Sequence, residues 1–258
     1  MPIKQSVCIP MLNTQNLPLE VFIPRVAAMG YAGVEIWQRG EDFASLVSLA
    51  RTHNLAITQM VGHDSLAVGL NDPAQHDRIE AELRESIDVA ARYGVPGLIC
   101  FSGNRRPGQS EEEAIEACAQ GFRRVAPYAE QKGVNLNLEL LNTLVDHPGY
   151  QCDHSAWGLE VVRRVNSPRV KLLYDIYHMQ IMEGNLIATI TANIQWIGHF
   201  HTGGVPGRGD LDETQEIQYR AVCRAIAGAG YDLYVAHEYR PRGDVFASLE
   251  SAFRVCDV

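Results

Sequence analysis

The chain has 258 residues, enough for one large domain with a well-buried core. Its hydrophobic fraction of 46% and charged fraction of 21% are those of an ordinary globular protein. A formal net charge of -9 argues against a protein that lives on nucleic acid or an anionic membrane, since both need a basic surface.

Gln5–Ile9 is a short apolar run and reads as a first strand. Pro18–Met29 reads as a helix closed by Gly30. Gly33–Trp37 is a second strand, with Glu35 and Trp37 of one parity. Asp42–His53 is helical, stopped by Asn54, and Leu55–Val61 is a third strand with His63 just past its end. Asp72 and Pro73 then open a helix on which Ile79, Leu83, Ile87 and Ala90 recur at helical spacing up to Gly94. Gly97–Phe101 is a fourth strand. Ser110 and Glu113 form a capping box for the next helix, which stops at Gly133.

Val134–Leu140 alternates strictly, with Asn135, Asn137 and Glu139 on one face and Leu136, Leu138 and Leu140 on the other. A polar inner and apolar outer face suits a barrel sheathed in helices. Ser155–Val165 reads as a helix and Val170–Asp175 as strand six. Glu183–Asn193 follows as helix, Gln195–His201 as strand seven, a helix near Ile217–Ala227, Leu233–Glu238 as strand eight, and a last helix at Val245–Val255. Eight strand–helix units of about 32 residues each predict a single (β/α)8 TIM barrel, one domain over residues 1–258. An open doubly wound sheet would usually carry Gly-x-Gly-x-x-Gly after its first strand, and none is present.

The cysteines, Cys8, Cys100, Cys118, Cys152, Cys223 and Cys256, are scattered, and none forms a C-x-x-C pair. Reduced thiols in cores are the expectation, rather than a disulfide framework or zinc knuckle. With no signal pattern and no apolar run of about 18 residues, the expected location is the cytoplasm.

Active sites in this architecture lie where strands end. Glu139, Asp175, His201 and Glu238 end strands five to eight, one from each. Any one of them alone is more often an ordinary polar strand end. Four around one mouth point to a hard, mostly oxygen site for a divalent metal ion: Mn²⁺ or Mg²⁺, with Co²⁺ or Zn²⁺ also compatible. Two glutamates flanking a hydroxy-carbonyl substrate can take a proton from one carbon and return one, to the neighbouring carbon for isomerisation or to the opposite face of the same carbon for epimerisation. His178, three residues past Asp175, is a substrate-contact candidate, against an ordinary surface His. Arg208 can grip a carboxylate or phosphate, against loop solvation. His63 is a further substrate contact, the Gly203-Gly204 pair either a phosphate turn or a plain one, His199 a satisfied core residue, and His237 should face the helices.

The motifs Leu138-Glu139-Leu140-Leu141-Asn142, Tyr174-Asp175-Ile176-Tyr177-His178, Gly198-His199-Phe200-His201 and Val205-Pro206-Gly207-Arg208 resemble the hydroxypyruvate isomerase branch of the xylose-isomerase-like barrels. Asp212-Glu213-Thr214-Gln215-Glu216 extends the match, which is strongest from Glu139 to Glu238. The tagatose 3-epimerase type and endonuclease IV are wider relatives. The resemblance implies a metal held by Glu139, Asp175, His201 and Glu238, with the two Glu as acid and base and with His178 and Arg208 on the substrate. Within this group His201 matches the epimerases, while Val145 stands where the epimerases carry an acid.

The expected function is a divalent-metal-dependent isomerase of hydroxypyruvate and tartronate semialdehyde, acting through an enediolate. A keto-sugar 3-epimerase or isomerase is the runner-up. An endonuclease-IV-like phosphodiesterase would want more His and Asp ligands and a basic face, and the two intact glutamates argue against a non-catalytic sugar-binding barrel. The partner is a small molecule, not nucleic acid or membrane; a homo-oligomer is left open.

Overall fold

A computed structural model describes residues 2–13, 16–64 and 66–258. Among them are nine strands and ten α-helices. The strands are β1 (Lys4–Cys8), β2 (Gly33–Glu35), β3 (Ala56–Ile57), β4 (Met60–Val61), β5 (Gly97–Cys100), β6 (Asn135–Glu139), β7 (Val170–Asp175), β8 (Ile197–Thr202) and β9 (Tyr234–His237). The helices are α1 (Ile9–Leu12), α2 (Leu19–Ala28), α3 (Phe43–Thr52), α4 (His76–Tyr93), α5 (Glu111–Lys132), α6 (Ser155–Val165), α7 (Ile176–Met182), α8 (Leu186–Asn193), α9 (Tyr219–Gly228) and α10 (Val245–Cys256).

Local chemistry sets most boundaries. Asp72 accepts from Ala74 N in the single 3-10 turn that leads into α4, and Gly94 ends that helix at φ 68°. Such a left-handed residue favours glycine. The Ser110–Glu113 capping box opens α5. Ile79, Leu83, Ile87 and Ala90 of α4 are all buried, each large side chain contributing roughly 1.5–3 kcal/mol. Among the described residues no helix is long and apolar enough to cross a membrane.

Two compact units share the chain. The first comprises Met1–Met60, Asn185–Ile194 and His199–Val258, and the second Val61–Gly184 and Gln195–Gly198. In the first the strand order is β3-β2-β1-β9-β8. Cys8 pairs with Glu35, Ser6 with Ala236, and His201 with Ala236, all in parallel register. Residues of one parity share a face, so Cys8, Glu35, His199, His201 and Glu238 stand on one side. His237 stands on the other, bonded to Thr202 Oγ1 at 2.8 Å and Gln5 Oε1 at 2.9 Å beside Tyr31. In the second unit the order runs β4-β5-β6-β7, reaching the first residues of β8. Glu139 pairs with Leu173, and Asp175 lies two residues farther along β7.

Two expectations are corrected. The run Leu55–Val61 is not one strand but β3 and β4, because the chain changes partners between them. Thr58 N donates to Val34 O, whereas Gly62 N donates to Ile99 O. The helix expected at Glu183–Asn193 starts only at Leu186, after Gly184 and Asn185 turn at φ 59° and 49°. The apolar Ile176–Met182 forms its own helix, α7, directly after Asp175.

Candidate active site

In the first unit, β2 ends in Glu35, a carboxylate fully withdrawn from solvent. His199 Nε2 lies 2.8 Å from Glu35 Oε2, and His201 Nε2 lies 3.0 Å from Glu35 Oε1. Burial alone would raise the Glu35 carboxyl. His201 and His199 more than reverse this and hold it at about 2. Burial pushes His199 down, so it is a neutral donor satisfied by Glu35. The other ring nitrogen of His201, Nδ1, stands 3.1 Å from Glu238 Oε2.

Glu238 follows β9 directly, its N–H donating to Thr202 O at 3.0 Å. Oε1 accepts from Trp37 Nε1 at 3.0 Å and lies 3.8 Å from Cys8 Sγ. Burial, reinforced by Glu238 and Glu35, pushes the Cys8 thiol up, so it remains an S–H donor. Arg208 holds the other side: its Nη2 pairs with Glu238 Oε2 and its Nε donates to Glu238 O at 3.3 Å. The loop before Arg208 is closed by mutual hydrogen bonds between Gly204 and Gly209. Arg208 itself sits at φ 53°, with its carbonyl accepting from Arg240 N at 2.8 Å.

In the second unit, Glu139 ends β6 and is buried, its carbonyl accepting from Tyr150 OH at 3.1 Å. Asp175 ends β7 and caps α7, with Oδ1 accepting from His178 N at 3.1 Å. His178 is buried, not on the surface. Its Nδ1 accepts from Asn142 N at 3.1 Å, which leaves the proton on Nε2, 3.5 Å from Asp175 Oδ2. Tyr177 OH and Asn142 Nδ2 both donate to Asp146 Oδ2, at 2.8 and 2.6 Å, and brace this loop. His63 Nε2 accepts from Phe101 N at 2.9 Å, and burial holds the ring neutral, with its pKa down at about 3. Its Nδ1 carries the proton and has no hydrogen-bond partner among the described residues.

The Gly203-Gly204 pair is a plain turn, not a phosphate cradle. Gly203 N is taken by Tyr219 OH at 2.9 Å and Gly204 N by Gly209 O at 2.8 Å, so neither amide is presented to a ligand. The sequence reading gave no role to Glu35, Trp37, Cys8 or Asn142. For Glu35 a signal existed, an acid at the end of an apolar strand. For Trp37 and Cys8 nothing in the sequence marked their partner.

The residues suit a divalent cation. A buried carboxylate oxygen and a buried imidazole nitrogen 3.1 Å apart are both metal-ligand atoms. Glu35 behind His201 is the outer carboxylate that commonly fixes a ligating histidine. Glu35, His199 and His201, and also Cys8, Glu35 and Glu238, form buried groups able to hold a metal ion. The carboxylates of Glu139 and Asp175 are buried donors of the same hard type.

Comparison with known proteins gives one answer. The putative hydroxypyruvate isomerase of Homo sapiens is 28% identical over 262 residues, covering 96% of this chain and 93% of that protein. The 2-oxo-tetronate isomerase of Cupriavidus necator is 34% identical over 174 residues, 66% of each chain. Among solved structures, the family 2 AP endonuclease from Brucella melitensis superimposes over 100% of both chains with a TM-score of 0.83 and 25% identity. The profile of the xylose isomerase-like TIM barrel family matches residues 23–254. The parallel strands, the interleaved helices and this match over nearly the whole chain establish that the protein belongs to the xylose isomerase-like TIM barrel family.

Proposed function

We propose that the protein is an isomerase that interconverts hydroxypyruvate and tartronate semialdehyde, or a close 2-oxo acid, with one divalent metal ion held by Glu139, Asp175, His201 and Glu238. What carries the reading is the buried pairing of His201 Nδ1 with Glu238 Oε2, backed by the ionised Glu35. Relatives named for isomerisation of small oxo acids support the substrate class.

When bound, the metal would draw charge from the carbonyl and the adjacent hydroxyl oxygen and so acidify the carbon between them. Arg208 would take the substrate carboxylate, since a guanidinium is a planar fork that matches a carboxylate. His178 would donate Nε2–H to a substrate oxygen, and His63 would add Nδ1–H. One glutamate removes a proton from C3 of hydroxypyruvate to give the enediolate, and the other delivers a proton to C2. The hydroxyl proton passes from O3 to O2, so the product differs only in where two hydrogens sit. Burial of Glu139, Glu238 and His178 keeps water from quenching the intermediate.

Delivery to the opposite face of the same carbon would make the protein a keto-sugar 3-epimerase. Val145, an apolar side chain 63% exposed where the epimerases carry an acid, favours the smaller substrate. Six buried, unbridged thiols fit a reducing compartment, and we place the reaction in the cytoplasm. The test is turnover of hydroxypyruvate, tartronate semialdehyde, 2-oxo-tetronate and C4–C6 ketoses with Mn²⁺ or Mg²⁺ added. Conversion of the oxo acids with little ketose turnover is expected; ketose epimerisation alone would replace the reading with the alternative.

A further inference from the structure

We infer that Trp37 is a positioning residue for Glu238, fixing which of its two oxygens faces the metal. The inference rests on the reading of Glu238 as a ligand and proton carrier. Trp37 follows β2 by two residues and presents two unlike surfaces. Its indole Nε1–H points inward to Glu238 Oε1 at 3.0 Å, while 37% of the residue remains open to solvent.

The two carboxylate oxygens have different neighbours. Oε1 meets two neutral donors, Trp37 Nε1–H at 3.0 Å and the Cys8 thiol at 3.8 Å, of which only the indole has no lone pair to offer a cation. Oε2 meets the Arg208 guanidinium and stands 3.1 Å from His201 Nδ1. A carboxylate with one oxygen pinned by a directional N–H cannot swing about its terminal bond without breaking that bond. Trp37 therefore keeps Oε2 turned toward His201, the edge at which metal binding is proposed, and holds Oε1 as the outer oxygen. Because indole has no acceptor, this donor cannot invert as a hydroxyl or amide would.

Three variants and one metal test this. Trp37→Phe keeps an aromatic ring and removes the N–H; the double variant Trp157→Phe with Trp196→Phe leaves Trp37 as the only indole of the three in the chain. Each is titrated with Mn²⁺, a paramagnetic quencher, with binding followed independently by equilibrium dialysis. In the double variant, Trp37 emission should be quenched saturably at one equivalent. In Trp37→Phe, Mn²⁺ should bind about tenfold or more weakly, and kcat should fall while KM for the oxo acid is unchanged. Trp37→His, which restores a ring N–H, should recover part of both. Unaltered Mn²⁺ affinity and kcat in folded Trp37→Phe would overturn the inference while leaving the metal site standing. An unquenched Trp37 in a double variant that binds Mn²⁺ by dialysis would overturn it as well, even if Trp37→Phe fails to fold. Failure of the wild type to bind Mn²⁺ would remove the site itself and the inference with it.

Discussion

Glu139 with Asp175, and His201 with Glu238, are built on the same strand offset but supported by different chemistry. In the second unit Glu139 pairs with Leu173, and Asp175 follows two residues on; in the first, His201 pairs with Ala236, and Glu238 follows two residues on. Each pair thus shares one face of adjacent parallel strands. The supports then diverge. Asp175 is held by the backbone amide of His178, and His178 by both the backbone N–H and the side-chain Nδ2 of Asn142, at 3.1 and 2.6 Å. His201 and Glu238 are held by side chains, namely Glu35, Arg208, Trp37 and Cys8. A backbone amide cannot be substituted away, so the hold on Asp175 is fixed. Side-chain supports can be altered one at a time, so the orientation of the first pair is the adjustable part of the proposed site.

The comparison breaks most severely at its glutamates. Glu139→Gln and Glu238→Gln should each lower kcat by about 10²–10⁴ with the circular dichroism spectrum preserved, because each removes a proton-transfer group. Glu238→Gln also swaps a carboxylate that accepts from Trp37 and Arg208 for an amide. It should therefore shift the Trp37 emission maximum, whereas Glu139→Gln should not. A variant of either that turns over at the wild-type rate removes that residue from the mechanism.

Next come the outer supports. Glu35→Gln takes away the charge that orders His201 and should weaken metal binding by about 10–100-fold. Asn142→Ala, the corresponding change in the second unit, removes the side-chain contacts to His178 and Asp146 but leaves the backbone N–H on His178, and should lower metal affinity less. Equal losses in the two variants, measured by equilibrium dialysis, would erase the distinction between side-chain and backbone support.

Acid stability treats the two units alike. His63 in the second unit and His237 in the first are fully buried, and burial lowers each from 6.5 to about 3. Between those values the unfolded chain binds a proton that the folded chain does not. The stabilisation is therefore complete above pH 6.5 and is lost as pH falls toward 3, at about 1.4 kcal/mol per pH unit for each ring. Denaturant melts across that window should show one such increment removed in His63→Gln and one in His237→Gln. An unchanged slope in either variant would mean that ring is protonated in the folded protein.

Much of the frame is legible in the sequence, because period-two and period-3.6 patterns and helix stops are local. The capping box at Ser110, Gly94 and Gly133 as left-handed stops, and Ser155–Val165 and Val170–Asp175 are written in adjacent residues. The acids and histidines at strand ends are legible too, since a charge closing an apolar run is conspicuous. Illegible are the contacts between residues far apart in the chain. Trp37 and Glu238 lie 201 positions apart, and Glu35 and His201 166 apart. Only strand register brings them to one face. The split of Leu55–Val61 escaped for the same reason, because a change of hydrogen-bonding partner leaves no mark on an apolar run.

The smallest expected effect separates two tasks that fall on one side chain. Asp175 supplies a charge to the proposed metal site and a cap to α7. Asparagine caps a helix about as well as aspartate, so Asp175→Asn keeps the second task and loses the charge. Asp175→Ala loses both. Without added metal, Asp175→Asn should melt within a few tenths of a kcal/mol of the wild type, and Asp175→Ala about 1 kcal/mol lower. With metal, both should lose the stabilisation that binding confers on the wild type. No such separation is available at Glu238, whose oxygens are all engaged by side chains. If Asp175→Asn still gained stability from metal as the wild type does, Asp175 would be a helix cap alone, and the proposed site would rest on Glu139, His201 and Glu238.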